Sequence, residues 1–484
     1  MSVVRNTAYN IASALVPIAV SLLTVPAYIH AIGEERYGVL ALIAMLLGYF
    51  GVFDFGLSTA TAQRIASNPA GDLDKRRRIF WTASVTNLGF GLLGSLLAFP
   101  VALIFADHAI KAPAALMPEI KSSIIWLVLA LPIMLLTGVF RGALQGAGRF
   151  AEMNLVNVVL GTLTQLIPLA VAIWITPSLT VILPALYASR LLVLGGFLAV
   201  VIARVTQGFH ALFDRNEARA LLSFGGWMTL SGLISPIIAS LDRFLIGSVI
   251  GVRQVSHYSV PYQLSERAMF VPSALVQALF PRISGAPDQA SARALSRRGL
   301  YSVAAICAPP MVFGTLFMYP FLSLWIDRDF AEHAALIGQV VLSGFWINAL
   351  GFVCYNHLTA VGRPKLVALA HAIEIVPYCL ILVGLMSGFG LVGAALAFVL
   401  RVAADDLLLA HYSGILRPTA ILVASGAVIF AIATWLGLGL DLHQTGRVII
   451  ALAYFAGVSF CSVIWLMREK DALLAALRVR KTET

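Results

Sequence analysis

Apolar runs of about twenty residues recur along the whole chain, divided by short polar or Gly/Pro breaks. They fall at 9–31, 38–62, 80–106, 120–143, 151–175, 180–203, 220–246, 254–281, 298–321, 334–360, 366–386, 388–410, 419–437 and 447–467. A helix rises 1.5 Å per residue, so about twenty apolar residues cross the ~30 Å hydrocarbon layer of a bilayer. The pattern predicts an all-α polytopic membrane protein with fourteen transmembrane helices. Several runs carry Pro inside the apolar stretch, including Pro26, Pro132, Pro168, Pro261 and Pro377. Such positions free backbone carbonyls and bend a span where neighbours can satisfy them.

Composition agrees with this reading. Of 484 residues, 60% are hydrophobic and only 12% charged, about half the charge that covers a soluble domain. The net charge of +10 reads as topology rather than as a nucleic-acid footprint. With the N-terminus inside, 23 of the 33 Lys and Arg fall on the cytoplasmic side and six on the outer side. That asymmetry fixes orientation with both termini cytoplasmic. The first run lacks a small-residue cleavage site and is expected to be a retained span. The four cysteines, Cys307, Cys354, Cys379 and Cys461, all lie in apolar runs with no CxxC spacing, and read as buried small hydrophobes.

No connecting segment exceeds about twenty residues, which leaves no room for a soluble nucleotide-binding domain. GxxxxGK[ST] and HExxH are absent. No cofactor and no metal site is expected, and an enzyme such as a membrane polysaccharide polymerase or ligase would need a larger outer loop than 107–119. A carrier fits best.

The two halves resemble each other. Tyr37 and Tyr258 follow Gly-containing hairpins 221 residues apart. The turns Gly146-Ala147-Gly148-Arg149 and Ala360-Val361-Gly362-Arg363 stand 214 apart, and Arg190 and Arg401 stand 211 apart. These offsets predict two six-helix lobes in a parallel repeat, residues 1–210 and 211–418, followed by two additional helices and a cytoplasmic tail at 419–484.

Particular segments go further. Arg5-Asn6-Thr7, Gly33-Glu34-Glu35-Arg36-Tyr37-Gly38, Asp54-Phe55-Gly56-Leu57, Gln145-Gly146-Ala147-Gly148-Arg149 and Leu241-Asp242-Arg243-Phe244-Leu245-Ile246-Gly247 resemble Wzx-type polysaccharide flippases. These belong to the multidrug/oligosaccharidyl-lipid/polysaccharide exporter superfamily. The resemblance implies movement of an undecaprenyl-diphosphate-linked oligosaccharide from the cytoplasmic to the periplasmic leaflet of a bacterial inner membrane. It implies membrane lipids, H⁺ or Na⁺ and polysaccharide assembly proteins as partners, and no nucleic acid. A cation-coupled drug exporter and a peptidoglycan-precursor flippase of the same superfamily are the alternatives.

A diphosphate crossing hydrocarbon needs cations, and Arg offers a permanent charge with a bidentate fork. Arg64, Arg190, Arg267 and Arg401 are therefore the candidate diphosphate contacts, with Arg243 behind them. Arg64 and Arg141 can equally be interfacial anchors, and Asp242 with Arg243 can equally pin helices together. Carboxylates in spans are the candidates for ion coupling: Asp54, Glu266, Glu374 and Asp242. Asp54 reads either as part of a polar cavity face or as a helix-breaking turn or the partner of an Arg, and Asp405 and Asp406 read as interfacial. Sugar contacts are sought among Asn87, Gln165, Gln263, Gln277, Asn348 and Asn356, and among Trp227, Tyr262, Trp346 and Tyr355.

Overall fold

The computed structural model describes residues 3–49, 54–67, 72–108, 110–209, 212–221 and 241–468. These residues are helical, with no strand among them. The N-terminal helices are α1 (Val3–Tyr49), α2 (Leu57–Ala66), α3 (Leu73–His108), α4 (Met117–Gly146), α5 (Phe150–Trp174), α6 (Leu179–Val201) and the short α7 (Leu241–Leu245). The series continues with α8 (Val252–Arg267), α9 (Phe270–Ser284), α10 (Gln289–Leu316), α11 (Met318–Trp325) and α12 (Arg328–Ala360). It ends with α13 (Pro364–Ser413), α14 (Leu416–Gly437) and α15 (Thr445–Arg468).

Nine helices among the described residues are long and apolar enough to cross a membrane. The expected runs map onto the helices unevenly. Those at 366–386 and 388–410 form one continuous element, α13, which bends at Gly390 (φ 56°, ψ −135°). Those at 9–31 and 38–62 fall on α1, bent at Gly33 (φ 79°, ψ 161°), and, for the end of the second, on α2. Both bends need a positive φ that a Cβ would oppose, so glycine rather than the prolines inside these helices sets the sharp turns. The run at 254–281 divides into α8 and α9, and most of the run at 220–246 lies outside the described residues. The count of fourteen stays an expectation from hydropathy.

Helix starts follow local chemistry. Asp288 and Asp327 cap α10 and α12, accepting from the backbone N–H of Ser291 at 2.7 Å and of Phe330 at 2.8 Å. Each supplies an acceptor to an otherwise unsatisfied first-turn donor. The backbone hydrogen bonds push the exposed Asp288 carboxyl below its usual range.

Packing divides the chain into two compact units, Met1–Ser256 and His257–Thr484. In the first, α2 lies directly against α4. Gly138, Gly142 and Gly146 recur every four residues on α4, and a Cβ on either of the last two would collide with the carbonyl oxygen of Ser58 or Ala62. Small residues at this spacing let two backbones meet without intervening side chains. Ile65, Phe80, Phe140, Leu144, Phe197 and Val201 fill the adjoining core. In the second unit, α12 is the most enclosed span, with Val341, Leu350, Val353 and Cys354 fully buried.

Two turns that the sequence pairs at an offset of 214 share their local geometry. After α4, Arg149 N–H donates to Leu144 O at 2.8 Å and Gly148 has φ 70°; after α12, Arg363 N–H donates to Leu358 O at 2.8 Å and Gly362 has φ 75°. These are the same helix-ending turn at the offset read from the sequence. Likewise α2 ends in Arg64-Ile65 and α9 in Arg282-Ile283, 218 residues apart. The division at 210 and 418 describes this repeat, a different property from packing, and it remains a proposal. The cysteines are more varied than expected: Cys307 and Cys354 are buried, Cys379 is partly so, and Cys461 is exposed. For a span, exposure of an apolar side chain is contact with lipid, so hydropathy cannot separate the two environments.

Candidate functional site

Four ionisable groups of the second unit, His371, Glu374, Arg401 and Asp405, converge between the two arms of α13. On the first arm His371, Glu374 and Tyr378 have the spacing i, i+3, i+7, and on the second Phe398, Arg401 and Asp405 repeat it. That spacing puts three side chains on one helical face. Folding at Gly390 turns the faces together. Arg401 Nη1 lies 3.5 Å from Glu374 Oε1, and the guanidinium carbon stands 5.4 Å from the Tyr378 ring and 5.8 Å from that of Phe398. His371 Nε2 is 3.7 Å from Asp405 Oδ2.

The ligand atoms of His371, Glu374 and Asp405 all fall within 4.8 Å of one another. One imidazole and two carboxylates make a donor set able to take a proton or a small cation. Arg401 already supplies one positive charge on Glu374, which opposes a divalent ion more strongly than a proton or a monovalent one. Glu374 Oε2 and Asp405 Oδ1 are buried and accept no hydrogen bond among the described residues, so capacity remains for a further positive group. Glu374 and Arg401 were anticipated from sequence; His371 and Asp405 were not placed with them. The matched i, i+3, i+7 triads flanking Gly390 were the available signal.

Asp406, next along, points elsewhere. It is 1% exposed, packs beside Gly351 and accepts from Cys354 Sγ at 3.5 Å. Asp406 does not join the cluster, because successive residues on a helix point about 100° apart and this one faces α12.

The first unit distributes its polar groups differently. Asp54 precedes a tight turn in which Phe55 (φ 47°) and Gly56 (φ 67°) adopt left-handed conformations. Its Oδ2 accepts from Ser58 N–H at 3.1 Å, and its Oδ1 from Ser58 Oγ at 2.8 Å and Asn87 Nδ2 at 2.7 Å. Asn87 also donates to Leu135 O at 3.2 Å. The carboxylate thus sits at the N-terminus of α2, where the helix dipole favours negative charge. The turn half of the Asp54 alternative describes this geometry, and no Arg meets it among the described residues.

Arg190, on α6, borders a small gap with Ile43, Leu47, Trp126, Ala130, Leu183 and Tyr187. Its Nε is buried without an acceptor, and no carboxylate pairs with it among the described residues. Arg64, at the end of α2, is held by Glu217 of the segment 212–221, Nη2 to Oε2 2.6 Å. The same segment is tied to α3 by Asp214 N–H donating to Thr82 Oγ1 at 3.0 Å.

The remaining predicted residues are scattered. Asp242 is 1% exposed and accepts from the backbone N–H of its neighbour Arg243 at 2.7 Å. Arg267 ends α8 half-buried, and Glu266 beside it is exposed. Arg141 is exposed on α4. Gln165 binds α1, accepting from Thr24 Oγ1 at 3.3 Å and from Tyr28 Oη at its carbonyl at 2.9 Å. Tyr262 is buried against Phe345 and Phe398, and Trp346 donates to Ala304 O at 3.4 Å. Asn356 bonds its own helix, while Gln263, Asn348 and Tyr355 are at least partly exposed. Trp227 and the Gln277 side chain lie outside the described residues.

Comparison with known proteins adds a lineage to this geometry. A Shigella flexneri protein named as an O-antigen transporter is 27% identical over 413 residues, covering 84% of this chain and 97% of its own. A Haloferax volcanii protein named as a flippase is 22% identical over 384 residues, covering 78% and 77%. Among solved structures, the inward closed conformation of the lipid II flippase MurJ superposes with a TM-score of 0.70 at 11% identity, covering 96% of this chain and all of that one. An inward-facing multidrug transporter of the MATE family gives 0.65 at 13% identity, covering 86% and 95%. These structures share the fold. The sequence profile described as polysaccharide biosynthesis protein matches residues 3–286, more than half of the chain, and the protein belongs to that family.

Proposed function

We propose that the protein is a flippase that carries a lipid-linked oligosaccharide, its glycan joined to undecaprenyl diphosphate, from the cytoplasmic to the periplasmic leaflet of a bacterial inner membrane. It works by alternating access, with both termini cytoplasmic and an ion gradient as the driving force. The family and the names of its relatives support the cargo class. The observation that carries the reading is Arg190: a guanidinium inside a span, without a carboxylate among the described residues, at the repeat position of Arg401. A charged group in a span costs about 2.5–3.5 kcal/mol on insertion scales and persists where a function repays it. An incoming diphosphate supplies the missing counter-charge.

Arg401 serves the same purpose through exchange, releasing Glu374 when phosphate arrives. Glu374, with His371 and Asp405, then takes a proton or Na⁺, which links cargo binding to the gradient. Asp54 is the corresponding coupling group of the first unit. Arg64 and Arg267 act at the edges of the path, and Asp242, Arg243 and Glu266 assist from the broken region around α7 and α8. Polysaccharide assembly proteins receive the product. The role is transport, without a catalytic step of its own.

The test is flipping of a fluorescent lipid-linked oligosaccharide in vesicles containing the purified protein, with and without proton or Na⁺ gradients. Leaflet exchange accelerated by either gradient supports the reading. Exchange of cationic drugs, with no movement of the lipid-linked glycan, would replace it with the drug-exporter alternative.

A further inference from the structure

The first unit contains a cavity of about 490 Å³ that the transport chemistry leaves unused. It lies among α1, α3, α4 and Phe244 of α7. Its wall is aliphatic apart from Phe105, Phe244 and one hydroxyl, Ser123, which donates to Glu119 O of its own helix at 2.5 Å. A space of this kind offers water no partners and favours an apolar occupant. Leu97 and Val101, both in the wall, are 61% and 64% exposed, so the cavity reaches the lipid-facing surface of α3.

A charged residue follows one lining position in sequence. Ile110 lines the cavity, and the next residue, Lys111, is exposed with Nζ donating to Val249 O at 2.6 Å. The other basic side chains of these connecting turns are neutralised: Arg36 by Glu119, Lys121 by Asp107 and Arg253 by Glu34. Lys111 has no carboxylate partner among the described residues. A hydrocarbon slot with one uncompensated ammonium at its rim is the complement of one acyl chain carrying one phosphodiester charge. A diphosphate, with its higher charge, calls for more than a single cation.

We infer that this cavity holds an acyl chain of an anionic phospholipid, with the headgroup phosphate on Lys111. The inference is independent of the proposed cargo; the proposed orientation only assigns the site to the outer leaflet. The experiment is native mass spectrometry of the purified full-length protein after reconstitution with equal phosphatidylglycerol and phosphatidylcholine of matched chains. Phosphatidylglycerol is expected to be retained about fivefold over phosphatidylcholine, equivalent to the ~1 kcal/mol of one interfacial lysine. Lys111→Gln, an exposed change, should abolish that preference, and Ala98→Trp, which places an indole in the cavity, should remove the bound lipid. Equal retention of both lipids by the unaltered protein, a preference that survives Lys111→Gln, or recovery of a polyprenyl diphosphate in place of phospholipid would each overturn the assignment.

Discussion

Arg190 and Arg401, which the proposed repeat would pair, live in opposite surroundings. Arg401 has a carboxylate at 3.5 Å and two aromatic faces; Arg190 has aliphatic and aromatic neighbours and no carboxylate among the described residues. The contrast separates two ways of keeping a cation inside a span. A paired cation is a stable element that must exchange its partner before it can bind cargo. A lone cation is costly until cargo arrives, so it contributes to function more than to folding. The same contrast holds for the acids, since Asp54 is bound by a helix terminus and an amide whereas Glu374 is bound by a guanidinium.

The largest expected effect is on transport. Arg190→Ala should lower flipping by tenfold or more, about 1.4 kcal/mol at least, with the thermal midpoint unchanged or raised. Arg401→Ala should cost transport as much and also destabilise the protein by about 1–3 kcal/mol, because Glu374 is left without its partner. Pairing it with Glu374→Gln should restore stability without restoring transport. Thermal unfolding in detergent alongside a vesicle assay reads both quantities. Equal stability losses at Arg190 and Arg401 would erase the contrast.

The next effect concerns packing. Gly142→Val should cost about 1–3 kcal/mol and lower the amount of folded protein, because α2 cannot move away from α4 without carrying Asp54 and Ser58 with it. Smaller still is the effect at Asp54. Asp54→Ala removes a helix-terminal acceptor and should cost about 1 kcal/mol, while Asp54→Asn keeps an acceptor and removes the charge. Gradient dependence altered in Asp54→Asn at near-normal stability would place coupling on the charge; an unaltered dependence would leave Asp54 as a structural group. The smallest effect is at Glu217→Gln. Its partner Arg64 is 29% exposed, so the pair is screened and should contribute no more than about 1 kcal/mol.

Much of the helical architecture was legible in the sequence, since a bilayer demands long apolar helices. The candidate site was legible only where one residue carries the signal. Arg401 and Glu374 stand out because charge in a span is rare, whereas joining them to His371 and Asp405 requires knowing that α13 doubles back at Gly390. Asp54 meets Asn87 only because three glycines on α4 bring α2 close, which a pattern of apolar positions does not encode. Asp406 looked like its neighbour Asp405 in sequence, and one residue of helical rotation sends it to a different face.

The central claim is that Arg190 is held in readiness for a phosphate-bearing cargo. The direct measurement is the initial rate of lipid-linked oligosaccharide flipping in vesicles for the unaltered protein, Arg190→Lys and Arg190→Ala at equal folded amounts. The account predicts a large loss for Arg190→Ala and a partial one for Arg190→Lys, which keeps the charge and gives up the bidentate fork. Unaltered rates in both variants would contradict it.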